Sequence, residues 1–398
     1  MHRVAKLMAA TTNTPARLHV LTLTPFFPST ENEVNGCFIA EPIAQFKQFG
    51  IDSSVIAVSP IHYARRSSTS SAPADWVRFP QLPGNFGLST AGKLLYARLL
   101  GQVKQLHDRK PIDVIHAHGA LPCGHAAALL SRHLGIPFVV TVHGLDVFAL
   151  CAQEGASARW RRHGSIAIYQ TARTVICISK KVQQILSGEM PSGVRSTVVY
   201  NGTDVELFSP AAAILAAPEK EILVVGTLIA SKGHELVLRA IDRLQNLFPT
   251  LRCQIIGEGP DRARFEALAS QRGLIQQVQF LGRQSRAAVA DAMRSCSVFV
   301  LPSRNEGLGC VYLEAMACGK PVIACHGQGI DEIIRHGENG WLIPPDGLEE
   351  LVQGLSILLQ SADVATAIGK AARETILNGL TLRNQAERLA SIYREAIA

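Results

Sequence analysis

The sequence predicts an α/β protein in which a doubly wound parallel sheet is built twice. Three observations predict it. Apolar runs rich in Val, Ile and Leu alternate with amphipathic helical patterns along the chain. The runs are continuous in polarity, as in parallel strands buried on both faces. The alternation breaks over 201–221, where Pro210 and Pro218 punctuate a stretch without periodicity. Each half then forms its own sheet, and open α/β sheets bind ligands beyond the carboxyl ends of their strands. Two such sheets facing one another put a ligand in the cleft between them.

In the first half, strands are expected at 18–24, 54–59, 113–118, 137–144, 174–179 and 197–202. A Ser-rich stretch, 65–74, reads as a loop. The segment 93–110 reads as an amphipathic helix carrying Lys93, Arg98, Lys104, Arg109 and Lys110. In the second half, strands are expected at 221–228, 252–259, 278–283, 297–303, 321–326 and 340–345. The Gly-rich turn GEGPD (257–261) reads as the cap of a helix beginning at Asp261. A further helix is expected from near Leu308 to Cys318, stopped by Gly319 and Pro321. The last helix covers 382–398. The chain divides into domains 1–205 and 206–380 and a terminal helix 381–398.

The 398 residues are 47% hydrophobic and 18% charged, enough apolar mass for two large cores. The nine cysteines lie mostly inside apolar runs, with no CxxC pair, and read as reduced core thiols. The N-terminal residues lack a long apolar segment, so no secretory signal is expected. No run of 18 apolar residues occurs, and a cytoplasmic location is the expectation. The net charge of +7 is uneven. Residues 1–205 hold 20 Lys+Arg against 11 Asp+Glu, and residues 206–398 hold 19 against 21. A basic first half points to an anionic partner. Basic clusters stand at Arg65-Arg66, 159–162 and 93–110, and the helix 93–110 presents either a solvated face or a patch for anionic lipid headgroups. Nucleic acid is not expected, since the basic segments carry no aromatic platform and no binding motif.

The chemistry concentrates at 303–324, where Glu306 and Glu314 stand eight positions apart. A hydrolytic pair needs its carboxyls roughly 5–9.5 Å apart across the scissile bond. Within one helix, eight positions span roughly 12 Å. More consistent is a loop holding Glu306, followed by a helix whose N-terminus offers free N–H groups and a positive dipole end. Gly307 and Gly309 let the backbone approach a phosphate there. A second Gly turn, over 224–241, places Lys232 on a loop after a strand, where its ammonium can meet a diphosphate. His116 and His118 alternate at a strand end and are expected not to reach one metal ion from one face.

These segments together resemble the retaining nucleotide-sugar glycosyltransferases of family 4, which have the GT-B fold. VGTLIASKG, FLGR and PSRNEGLGCVYLEAMACGKPVIA carry the likeness in the second half, with GIDEIIRHGENGWLIPPDG after them. In the first half PFFPSTENEVNGCFIAE, DVIHAHGALPCGHAAALL, FVVTVHGLDVF, CISKKV and VVYNGTDVELFSP follow the family's order. The resemblance spans residues 18–395. It implies that Glu306 contacts hydroxyls of the donor sugar, that Lys232 balances the diphosphate, and that His143 faces the sugar. It implies a donor site built from Gly36, Gly226 and Thr227, the Gly307, Leu308, Gly309, Cys310 and Val311 segment, Arg283 near the base, and Glu314 on the ribose. His118 and Asp146 are expected on the acceptor side. The family has Arg where this chain reads Thr227, so the diphosphate loses one cation.

What the resemblance implies is a metal-independent transferase without a cofactor. It would move a sugar from a nucleoside-diphosphate sugar to a glycan or lipid-linked acceptor, as in polysaccharide assembly. The last helix would cross back onto the N-terminal domain. Two alternatives stand beside it: a nucleotide-sugar epimerase on the same fold, and a non-catalytic nucleotide-sugar-binding homologue, motivated by Thr227.

Overall fold

The computed structural model describes residues 17–64, 66–69, 71–81, 88–144, 147, 156–190, 193–211 and 220–398. The first sheet contains β1 (Leu18–Thr24), β2 (Ile51–Pro60), β3 (Asp75–Phe79), β4 (Val114–His118), β5 (Phe138–Val142), β6 (Thr174–Cys177) and β7 (Ser196–Val198). Their order is β3-β2-β1-β4-β5-β6-β7, with every pairing parallel. The second sheet contains β8 (Glu221–Val225), β9 (Arg252–Ile256), β10 (Val278–Gly282), β11 (Val298–Val300), β12 (Val322–Cys325) and β13 (Trp341–Ile343). It runs β10-β9-β8-β11-β12-β13, again all parallel. This is the twice-built α/β fold that the apolar runs predict. Strands β4, β5 and β12 are buried at every residue, because helices cover both faces.

Both sheets reverse their winding direction beside their first strand, between β1 and β4 and between β8 and β11. At such a switch point the loops leaving two neighbouring strands diverge and open a crevice. Gly36, Lys232 and the 306–309 segment fall on these loops, whereas His143 follows β5 and Arg283 follows β10.

Most strands are shorter than the apolar runs, and two of the shortened ones flank the switch point of the second sheet. The apolar runs 221–228 and 297–303 stop being strand at Val225 and Val300. Beyond those points the regular ladders stop and only single backbone bonds remain, such as Gly226 N–H to Ile256 O and Leu301 N–H to Ile323 O. Strand β3 was not expected: it is a five-residue edge strand directly after the Ser-rich loop. Asp261 precedes helix Arg262–Gln271, but its side chain makes no cap hydrogen bond. The glycines of that turn answer to packing instead. A Cβ on Gly257 would come within 1.9 Å of the Gly226 carbonyl oxygen, and one on Gly259 within 2.3 Å of that of Leu228.

The basic amphipathic helix spans Leu88–Arg109. Ala91, Leu95, Leu99 and Val103 are buried, and Lys93, Arg98, Lys104 and Arg109 are exposed. The last helix, Leu382–Ile397, starts with a reciprocal cap between Thr381 and Asn384. It lies against the first sheet, where Leu389, Ala390, Tyr393 and Ala396 pack with Val20, Val114, Val139 and Ile176. The two segments that cross between the halves are hydrogen-bonded to each other: Thr203 N–H donates to Leu380 O at 2.9 Å, and Leu382 N–H to Thr203 O at 3.2 Å. Among the described residues no single helix is long and apolar enough to cross a membrane.

Candidate active site

The loop after β8 carries Lys232 on a single 3-10 turn, Ala230–Lys232. Gly233 follows with φ +76, and a Cβ there would meet the Pro302 carbonyl oxygen at 2.3 Å. Only glycine lets this turn lie directly on the chain leaving β11. That contact brings Lys232 to Glu306, and the two form an ion pair half-shielded from solvent. Asn305 turns the chain with φ 58, a conformation Asn tolerates better than most residues. Ser303 Oγ donates to Glu306 Oε2 at 3.3 Å. The Glu306 backbone is held from 328–329: its N–H donates to Gln328 Oε1 at 2.9 Å, and its carbonyl accepts from Gly329 N–H at 3.1 Å.

Helix Cys310–Ala317 begins one turn later, with Gly309 at its N-cap and no capping side chain. Its first N–H groups are therefore available to an anion in the crevice. Leu308 is fully buried, so its backbone alone faces a ligand. Cys310 accepts from Asn201 Nδ2 at 3.2 Å, and burial pushes its thiol up to about 12, which rules it out as a thiolate nucleophile near neutral pH. Glu314 is 4% exposed and ion-paired to Arg286. Arg286 Nη2 also bonds Glu41 Oε1 across the cleft at 2.6 Å. Desolvation is the largest influence on Glu41, raising it to about 7 against the pull of Arg286.

The N-terminal half meets this loop closely. A Cβ on Gly307 would sit 3.3 Å from the His143 carbonyl oxygen and 3.1 Å from Ile178 Cδ1. Ser179 Oγ donates to Gly307 O at 2.6 Å. Glu332 accepts from the first amides of helix Lys180–Glu189, at 2.8 Å from Lys180 N and 2.6 Å from Lys181 N, and from Tyr200 OH at 2.8 Å. His143 Nε2 lies 2.9 Å from His118 Nδ1, with the rings stacked. Burial sets His143 at about 4 and His116 at about 3, and lowers His118 as well. The three rings are therefore neutral near pH 7 and can exchange hydrogen bonds without charge.

The structure brings Lys232, Glu306, Gly307, Gly309 and Cys310 together, with His143 and His118 across from them and Glu314 deeper in. It does not draw in Arg283, whose side chain is exposed at the end of edge strand β10. Arg286, three residues on, reaches the site instead. Thr227 is exposed at the mouth of the loop, with Gly226 beside it. Val311 is half-buried. Gly36, at φ +75, is explained locally: a Cβ would meet the Phe26 carbonyl carbon at 2.4 Å, so the loop after β1 folds against itself there. Asp146 lies outside the described residues. His116 and His118 do not diverge as expected. Residues two apart on a strand share a face, and their ring centroids are 4.3 Å apart. His116 is instead saturated by Tyr393 OH and Thr141 Oγ1, both at 2.7 Å. Among the described residues no group of three or more His, Cys, Asp or Glu is placed to hold a metal ion.

Sequence reasoning missed Arg286, Glu41, Ser179, Gln328 and Glu332. Gln328 immediately precedes the GIDE block and Glu332 ends it, so a signal existed for these two. Glu41 and Arg286 stand 245 positions apart, and no local pattern links them.

Comparison with known proteins fits this geometry. The family model "Glycosyltransferase Family 4" matches residues 39–207, and "Glycosyl transferases group 1" matches residues 210–375. An uncharacterized glycosyltransferase of Methanocaldococcus jannaschii is 32% identical over 273 residues, covering 68% of this chain and 72% of that protein. A putative teichuronic acid biosynthesis glycosyltransferase of Bacillus subtilis is 26% identical, covering 85% and 88%. Among solved structures, sucrose-phosphate synthase from Thermosynechococcus elongatus superposes with a TM-score of 0.78 at 21% identity, covering 95% of this chain and 99% of that one. Anabaena HepE in complex with UDP-glucose gives 0.73 at 19% identity, covering 95% and 100%. These two likenesses establish the GT-B fold.

Proposed function

This chain belongs to the family 4 glycosyltransferases, and from that premise we propose that it moves a sugar, with retention of configuration, from a nucleoside-diphosphate sugar to a hydroxyl of a glycan or lipid-linked acceptor. The observation that carries the reading is the pairing of Lys232 with Glu306 in front of the uncapped N-terminus of helix Cys310–Ala317. A cation, a hydroxyl-binding carboxylate and free N–H groups converge there, as a sugar diphosphate requires. The names of similar proteins agree in kind: HepE was solved with UDP-glucose, and relatives include D-inositol 3-phosphate glycosyltransferases.

In the proposed reaction the bond between the anomeric carbon and the diphosphate oxygen breaks first. Negative charge grows on the diphosphate, where Lys232 and the helix N-terminus stabilise it. Lys232 then exchanges part of its contact with Glu306 for phosphate, which frees Glu306 to accept sugar hydroxyls. The acceptor oxygen attacks from the face the diphosphate leaves, and its proton passes to a phosphate oxygen. His143, neutral through burial, borders the sugar without adding charge. Neither metal nor cofactor enters this scheme.

The test is a calorimetric and thermal-shift titration with UDP-, GDP- and ADP-sugars, followed by NMR of the product's anomeric configuration with and without EDTA. An inverted product, or loss of transfer in EDTA, overturns the corresponding part. We further propose a cytoplasmic protein that meets the inner membrane face through its basic first half. Co-sedimentation with anionic vesicles at low salt tests this, and no binding removes it. The exposed Thr227 favours one second reading, a non-catalytic binder. Donor binding with neither transfer nor slow donor hydrolysis would establish it. Family membership displaces the epimerase alternative.

A further inference from the structure

Arg286 is the first residue of helix Arg286–Ser295, whose start is fixed by Ser285 Oγ accepting from Ala288 N–H at 3.2 Å. Its side chain is 16% exposed. One nitrogen of its fork bonds Glu314 of the donor helix; another bonds Glu41, on helix Cys37–Gln45 of the opposite half, at 2.6 Å. The guanidinium also lies over the Phe208 ring, 4.8 Å from its centroid. The planar fork can serve two carboxylates at once, which a single ammonium cannot do with fixed geometry.

We propose that Arg286 and Glu41 are positioning residues of the donor site, which make nucleotide binding and closure of the two halves one event. The inference rests on the reading above that Glu314 receives the donor ribose. A carboxylate as buried as Glu314 is costly without a cation. Its two oxygens can accept from two ribose hydroxyls only when they are correctly oriented. Arg286 is that cation, and its bond fixes the carboxylate's orientation. Because the same guanidinium is bonded to Glu41, that orientation is completed only when the halves meet. A donor bound between open halves would then be held poorly and be reachable by water.

The test uses the full chain and three variants: Glu41→Gln, Arg286→Lys and Arg286→Gln. Each is titrated with UDP, GDP and ADP, and assayed for transfer, for donor hydrolysis without acceptor, and for Tm. Arg286→Lys is expected to bind the preferred nucleoside diphosphate roughly tenfold more weakly while remaining folded, within the usual range of coupling between sites. Glu41→Gln, at a partly exposed position, is expected to keep Tm but lower kcat roughly five- to tenfold and raise the hydrolysed fraction of donor. Wild-type kinetics in Arg286→Lys overturns the proposal. So does a Glu41→Gln protein altered in Tm alone, since that is a purely structural role. If the wild-type chain binds none of the three nucleotides, the functional reading itself fails and this inference falls with it.

Discussion

Lys232 and Glu306, 74 positions apart, form an ion pair where the loops after β8 and β11 meet. The pairing follows from topology: β8 and β11 are hydrogen-bonded neighbours at the switch point of the second sheet. Neither residue is free in the structure. Each holds the other in place, and under the proposed function a sugar diphosphate would give both a new partner.

Lys232→Ala is expected to lower kcat roughly 100- to 1,000-fold, the usual loss for one donor of charge stabilisation. Nucleoside-diphosphate affinity should fall far less, because the charge is needed most as the diphosphate departs. Parallel measurement of kcat and nucleotide Kd decides. Equal losses in both would remove the leaving-group role.

Glu314→Ala should weaken nucleotide binding and also lower stability. Breaking a buried ion pair costs roughly 3–5 kcal/mol when the remaining charge is stranded. Arg286 retains Glu41 here, so the expected loss is nearer ~2 kcal/mol. Urea midpoints and calorimetric titration with UDP, GDP and ADP read the two effects. Unchanged affinity for all three ends the ribose assignment.

Stability should fall as pH drops from 6.5 toward 4. His143 and His116 are held neutral by burial down to about 4 and about 3, whereas in the unfolded chain they protonate near 6.5. In that window the unfolded state binds more protons, so stability rises with pH and is lost on acidification. Each ring accounts for roughly 2–3 kcal/mol across it. His116→Asn should flatten the dependence of Tm on pH by one ring's share. A slope identical to wild type would contradict the assignment.

Ser179→Ala removes the one hydroxyl that bonds the Gly307 carbonyl from the opposite half. Loss of such a buried hydrogen bond costs roughly 1–3 kcal/mol when the acceptor is left unpaired. The expected result is a higher ratio of donor hydrolysis to transfer, with nucleotide affinity changed less than threefold or so by the same principle. An unchanged ratio would show that this contact does not guard the closed site.

The individual elements were legible to different degrees. Continuous apolar runs predicted twelve of the strands because parallel strands buried on both faces leave that signature. The edge strand β3 escaped: its burial alternates along Asp75–Phe79, and five residues are too few for a pattern to declare itself. The last helix was legible from its periodicity, and the helix holding Glu314, buried all round, from the Gly319 and Pro321 that stop it. Arg283 was expected from the FLGR segment of the resemblance, and Arg286 was not singled out, because nothing local marks it as the one that reaches the site. The difference is the Ser285 cap, which starts a helix between them and turns only Arg286 inward.

The sequence by itself determined the two wound halves, the break between them, and the placing of Glu306 on a loop and Glu314 on the helix that follows; the donor role of the two glutamates is what the family resemblance implies. The halves, the break and that placing are properties of periodicity, turn chemistry and spacing, all local. Only the tertiary structure decided which groups meet. Lys232 with Glu306, Arg286 between Glu314 and Glu41, and Ser179 on Gly307 are contacts across strand neighbours or across the cleft. Strand order and closure of the halves set those distances, and neither is written in any short stretch of chain.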